Sequence, residues 1–108
     1  MSAVASPDPV ISFFDGFVRD SAALSAEIDG EAVALHVANG ACFGFDAIAT
    51  HIWTLLASPI TVEAICADLM TVYDVEPDVC RDDVLHLLGA LRSEGLIRLV
   101  TASSLTAA

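Results

Sequence analysis

Two glycine turns constrain the fold of this chain more than any other feature of its sequence. Asp29-Gly30 and Asn39-Gly40 are dipeptides that favour a two-residue hairpin turn, because glycine adopts a positive φ without strain. The segments beside them alternate apolar and polar residues or are rich in valine and phenylalanine, as β-strands are. The sequence therefore predicts a meander of three antiparallel strands over 24–28, 32–37 and 41–45.

The second half of the chain has helical periodicity. Asp46 is placed to cap a first helix that ends at Ser58-Pro59, and Thr61 is placed to cap a second. Pro77 suits the first turn of a third helix, and Gly95 suits a left-handed stop at its end. This order predicts an α+β domain, with a three-stranded antiparallel sheet followed by three helices on one side of it.

The two ends of the chain differ in composition from its middle. Residues 1–9 are rich in Ser, Ala and Pro, and residues 101–108 read TASSLTAA. We therefore expect two flexible tails around one domain that covers residues 10–100. Within that domain, 10–18 is predicted as either an extra strand or an arm, and 96–100 as a short final strand.

The charge of the chain argues against nucleic acid as a ligand. The chain has four arginines, no lysine and a net charge of −11, whereas proteins that bind DNA or RNA neutralise phosphates with basic side chains. Its longest run without a charged residue, 47–62, is shorter than the roughly 20 apolar residues of a membrane-spanning helix. No basic residue precedes the apolar N-terminal stretch, which argues against a secretory signal. We expect a cytoplasmic protein with neutral or basic partners and no membrane contact.

The residues that usually carry catalysis or metal binding show no familiar pattern. The chain has three cysteines and three histidines: Cys42, Cys66, Cys80, His36, His51 and His86. No two of the cysteines have a C-x-x-C spacing, and no two of the histidines have the spacing of a zinc motif. No glycine-rich loop joins a strand to a helix as in phosphate sites. We therefore expect no catalytic residue, no metal and no cofactor.

Two features exceed what a minimal core requires, and together they indicate a peptide-binding groove. The third predicted strand lies at an edge of the meander, where its backbone can pair with an extended peptide. The apolar stripe of the third helix is wider than a core needs. The candidate peptide-binding residues are Ala41, Cys42, Phe43, Gly44, Phe45, Cys80, Asp83, Val84, Leu87, Ala90 and Leu91.

Alternatives to this groove stay open at the level of sequence. The N-terminal arm can cover the strand edge, and Leu87 can pack under the sheet. The acidic cluster of Asp74, Asp78, Asp82 and Asp83 is either a solvated face that suits the start of a helix or, at Asp83, a contact for a basic or hydroxyl-bearing residue of the peptide.

The order and spacing of these motifs resemble the PqqD-like family. The similarity covers residues 24–100, and its motifs lie at 39–46, 52–56, 61–65, 73–74, 83–91 and 95–97. The resemblance implies a winged-helix-like fold that binds the leader segment of a ribosomally synthesised, modified peptide (RiPP). The leader would add as a strand beside the third strand and rest on the third helix. The chain departs from the commoner family pattern at Cys42, where an aromatic residue is frequent, and at Phe45-Asp46, where Leu-Asn is frequent.

Within this family, two motifs look most similar to the stand-alone domains of lasso-peptide clusters. They are the Ser58-Pro59 break and the pattern Cys80-x-x-Asp83-Val84. That likeness implies a non-catalytic peptide chaperone. It would deliver its precursor peptide to a separate leader peptidase and a macrolactam-forming cyclase.

A winged-helix transcription regulator and a general protein-interaction adaptor are the alternative functions. The charged residues that bear on this choice, in and just after the predicted third helix, are Asp78, Arg81, Asp82, Asp83, Arg92 and Glu94. A regulator needs a basic recognition helix, so this acidic excess argues against it. A hydrophobic strand edge can also self-associate, so a homodimer stays open.

Overall fold

The structure, a computed structural model, describes residues 15–100. This part of the chain forms β1 (Gly16–Arg19), β2 (Ala23–Ile28), β3 (Glu31–His36), β4 (Cys42–Gly44), α1 (Ala47–Leu55), β5 (Ile60–Thr61), α2 (Val62–Val72), α3 (Pro77–Ser93) and β6 (Ile97–Val100). It is an α+β domain with three helices and antiparallel sheets, as the sequence predicts. None of its helices has both the length and the apolarity to cross a membrane. The predicted tails lie outside the described residues.

The predicted meander is present as the sheet β2-β3-β4. Its first turn has positive φ at both Asp29 and Gly30, which is the geometry of a tight two-residue hairpin turn. The second turn is wider than predicted, because the His36 N–H donates to the Ala41 carbonyl and leaves four residues, 37–40, in the loop. The ring of His36 holds this loop by accepting the N–H groups of Ala38 and Asn39 at 3.2 and 3.3 Å.

A second sheet, of order β5-β1-β6, corrects the prediction of a single three-stranded sheet. The segment that the sequence left open as strand or arm, 10–18, overlaps β1 at 16–18, and its residues 10–14 lie outside the described part of the chain. The predicted final strand is β6. Both neighbours pair with β1 antiparallel, with Phe17 opposite Ile60 on one side and Leu99 on the other. Phe17 is fully buried, so this small sheet closes one side of the core.

The helix boundaries follow from the capping residues that the sequence predicts. The Asp46 carboxylate accepts the Ala49 N–H at 2.8 Å at the start of α1, and the Thr61 hydroxyl caps α2 in the same way. Pro77 opens α3. Gly95 ends it at a φ of 76°, and the Leu96 N–H bonds back to the Leu91 carbonyl at 2.9 Å, which completes a Schellman motif.

The core lies between the three helices, the inner face of the meander and β1. Its largest fully buried side chains are Phe17, Leu56, Ile65, Leu88, Leu91 and Leu96. Phe45, just after β4, stacks on Trp53 with ring centroids 5.4 Å apart, and this contact fixes the end of the meander against α1. Trp53 is therefore a core residue, and its contact with Phe45 holds the end of β4 against α1.

Candidate functional site

The outer edge of β4 is the first component of the candidate site. Along the other edge, the Ala41 carbonyl and the Phe45 N–H bond to β3. Because backbone groups alternate in direction along a strand, the N–H and C=O groups of Cys42 and Gly44 point away from β3. No strand within residues 15–100 pairs with that edge. The predicted third strand is thus an open edge in the described part of the chain.

An open groove lies between the start of α1 and α3, where the chain leaves β4. It has a volume of about 340 Å³ and is lined by Asp46, Ile48, Ala49, Ile52, Asp83, His86, Leu87 and Ala90. Leu87 packs against the core with part of its side chain and is only half-buried. It is not sealed under the sheet, so the wide stripe of α3 borders a groove.

A smaller apolar pocket continues this groove along α3. It has a volume of about 50 Å³ and is lined by Ile48, Ile52, Leu69, Tyr73, Val75, Cys80, Asp83 and Val84. Ile48, Ile52 and Asp83 belong to both cavities. The surface therefore offers one depression with a shallow end near Ala90 and a deeper apolar end near Cys80, which suits an extended chain with an apolar side chain at one end.

The structure places the predicted site residues in three groups. Cys42, Gly44 and Asp83 are exposed, and Ala41, Phe43, Leu87 and Ala90 are half-buried. Phe45, Cys80, Val84 and Leu91 are buried. Of the buried four, Cys80 and Val84 line the small pocket, whereas Phe45 and Leu91 line neither of these two cavities. The contact role of each residue stays a prediction.

Sequence reasoning missed the contribution of α1 to the groove. Ile48, which was not among the predicted site residues, is 41% exposed and lines both cavities. Asp46, predicted only as a helix cap, and the exposed His86 also line the groove.

The charges around the groove are unevenly distributed. Arg81 lies 3.7 Å from Asp78 and 3.9 Å from Asp82, on the solvent side of α3. Asp83 makes no ion pair with any described residue. Next to Cys80, which lines the small pocket, burial raises the pKa of the Cys66 thiol to about 11, and Cys80 adds to this rise. The Cys66 thiol is therefore neutral at pH 7 and a poor nucleophile.

The described residues do not gather the side chains of a metal site. No three His, Cys, Asp or Glu side chains within 15–100 lie in an arrangement that would hold a metal ion. His51 pairs with Asp68 at 2.6 Å, which ties α1 to α2 and leaves that histidine in a structural role.

Known proteins resemble this chain over the region that contains the groove. A family model described as "Coenzyme PQQ synthesis protein D (PqqD)" matches residues 31–97, which include β3, β4 and all three helices. A solved structure described as "TbiB1 in Complex with the TbiA(beta) Leader Peptide" is 33% identical, covers 75% of this chain and 94% of that chain, and has a TM-score of 0.70. No curated protein matches.

Proposed function

The chain belongs to the PqqD family, and from this premise we propose that it is a RiPP recognition element that binds the leader segment of a ribosomal precursor peptide. One observation carries the proposal: β4 has an open edge within the described residues, and the chain runs from β4 directly to Asp46, which lines the groove between α1 and α3. The similarity to a domain solved with a leader peptide supports it. The proposed role is binding without catalysis, and it needs no cofactor.

In the proposed complex, the leader forms an additional strand next to β4. The backbone groups of Cys42 and Gly44 supply up to two donors and two acceptors, and each hydrogen bond contributes roughly 0.5–1.5 kcal/mol net. Alternate side chains of the leader would then point toward the groove, where Leu87 and Ala90 contact them. Backbone pairing gives the affinity, and the groove gives the selectivity.

We also propose the kind of pathway in which the domain acts. A domain that only binds a leader requires other proteins to cut and cyclise the peptide, so we place it beside a leader peptidase and a macrolactam-forming cyclase of a lasso-peptide pathway. We also propose that the domain has a winged-helix-like fold, as the family resemblance implies. We expect the neighbouring genes to encode a short precursor, a peptidase and an asparagine-synthetase-like cyclase.

Replacing Cys42 with proline tests strand addition directly. The Cys42 N–H points to the open edge and β3 does not use it, so Cys42→Pro removes a donor to the leader and leaves the meander intact. A labelled leader peptide from the neighbouring precursor gene should bind the wild type with a Kd of about 1 µM or lower. We expect Cys42→Pro to weaken this binding at least about tenfold in a fluorescence-polarisation titration.

Cys42→Ala is the matched control for this experiment. It keeps the N–H group and changes only an exposed side chain, so its affinity for the leader should stay close to that of the wild type. Circular dichroism of both variants checks that they are folded. Equal binding by the proline and alanine variants, or no binding of any co-encoded precursor by the wild type, would contradict strand addition to β4.

A further inference from the structure

Asp83 has a special position, because among residues 15–100 it is the one charged residue that lines both the groove and the small pocket. It lies on α3 between the shallow end and the apolar end of the depression. Any extended peptide that occupies both ends passes this carboxylate. Apart from Asp83 and His86, Asp46 is the only ionisable residue that the described part of the chain adds to the groove lining. One oxygen of Asp46 already accepts the Ala49 N–H.

The cations in the described part of the chain are occupied elsewhere. Arg19 donates to the Trp53 carbonyl, Arg81 lies between Asp78 and Asp82, and Arg92 lies over the Phe17 ring. The fourth arginine, Arg98, lies on β6 and lines neither cavity. No described cation therefore neutralises Asp83, and the net charge of −11 adds to the negative potential there.

The rest of the lining indicates the shape of the side chain that fits beside Asp83. Ile48, Ala49, Leu87 and Ala90 make the walls apolar, whereas the carboxylate lies at the rim. A long side chain with an aliphatic stem and a cationic end matches this combination, because the stem covers the apolar wall while the charge stays near the acid. A short hydroxyl side chain would leave the apolar walls exposed.

We infer that this domain selects leader peptides that carry Lys or Arg at the position facing Asp83. The inference rests on the proposed function and adds a specificity-determining residue to it. The basic side chain lies next to the leader residue whose apolar side chain enters the small pocket. An acidic residue at that position is rejected, because it would approach an unpaired carboxylate.

Selection from a library of random peptides displayed on mRNA tests this inference. We expect the wild-type domain to enrich peptides with Lys or Arg at one fixed position relative to their apolar residues. For one such peptide, Asp83→Asn should weaken binding about three- to tenfold, the range for an ion pair at a partly desolvated rim. Replacing the basic residue of the peptide with norleucine should remove the difference between the wild type and Asp83→Asn.

Asp82→Asn is the matched control, since it removes the same charge from the neighbouring position, outside both cavities. It should change the affinity less than about twofold. When the charges of domain and peptide are both reversed, the Asp83→Lys variant should bind a peptide with Glu at that position better than the peptide with Lys.

Two outcomes would overturn the inference. In the first, enriched peptides show no basic preference. In the second, Asp83→Asn weakens binding no more than Asp82→Asn. If in either case the enriched peptides still lose affinity to Cys42→Pro, leader binding at β4 stands and only the charge selectivity fails. If no peptide is enriched and no co-encoded leader binds, the proposed function itself fails, and the selectivity fails with it.

Discussion

At the scale of single residues, two glycines near the C-terminal end of α3 should respond in opposite ways to replacement by alanine. Gly95 has a φ of 76°, and a Cβ there would lie 3.1 Å from His36 Nε2. Gly89 lies inside the helix, and no neighbouring side chain comes within 4 Å of the point that a Cβ would occupy. We expect Gly95→Ala to lower the free energy of unfolding by about 1–2 kcal/mol and Gly89→Ala to raise it by up to about 1 kcal/mol. Urea unfolding of both variants measures this, and changes of the same sign would refute it.

A second residue-scale prediction concerns the buried thiol of Cys66. Its pKa rises from 9.0 to about 11 on folding, mainly because burial disfavours the thiolate. Above pH 9 the unfolded chain ionises this thiol and the folded chain does not, so ionisation stabilises the unfolded state. The contribution of Cys66 to stability is complete below pH 9 and is lost as the pH rises to about 11.

The pH dependence is measured by urea unfolding across that alkaline range. Cys66→Ala is the comparison, because it removes the titrating group from the same core position. The free energy of unfolding of the wild type should fall more steeply with pH than that of the variant. Parallel curves would show that Cys66 does not titrate differently in the two states.

At the scale of elements, Arg19 joins the second sheet to the end of α1. Its guanidinium donates to the Trp53 carbonyl at 2.7 and 3.0 Å and lies 4.6 Å above the centroid of the indole ring. The last turn of α1 has no basic residue of its own, so Arg19 supplies both the donors and the positive charge that a helix C-terminus favours. Burial lowers the pKa of Arg19, and these contacts offset that cost.

Replacing Arg19 with methionine tests this link. Arg19→Met keeps most of the aliphatic stem but loses both hydrogen bonds, so we expect the free energy of unfolding to fall by about 1.5–3 kcal/mol. Arg98→Met on the exposed side of β6 should change it by less than about 0.5 kcal/mol. Thermal unfolding followed by circular dichroism compares the two, and an equal effect at both positions would mean that Arg19 does not join these elements.

The elements also show which signals the sequence contains. Local chemistry predicted the meander and the helices, because Asp29-Gly30, Asp46, Thr61 and Gly95 each act on their nearest neighbours. The second sheet has no such signal: β5 has only two residues, and β1 pairs with strands far along the chain. Pairing of that kind depends on where the helices pack, which a single sequence does not reveal.

At the scale of the whole molecule, only part of the candidate site was predictable, because the sequence shows local patterns but not how distant elements pack together. The edge strand and the stripe of α3 are visible as patterns, and the stripe does border a groove. The contribution of Ile48 and Asp46 to the groove depends on how α1 packs against α3, and no periodicity in the sequence predicts that packing. Whether the domain forms a homodimer stays a prediction, although Leu24, Ile28 and Leu35 expose an apolar outer face of the meander.

The net charge of −11 makes a final prediction for the folded molecule as a whole. With only four arginines against fifteen acidic residues, repulsion among carboxylates destabilises the compact state, and salt screens it over distances of about 10 Å at 0.1 M. We expect the Tm to rise by about 2–5 °C between roughly 20 mM and 500 mM NaCl. Sucrose at matched osmolality screens no charge and is the control. A Tm that rises no more in NaCl than in sucrose would mean that the acidic groups lie too far apart, or are too well solvated, to oppose folding.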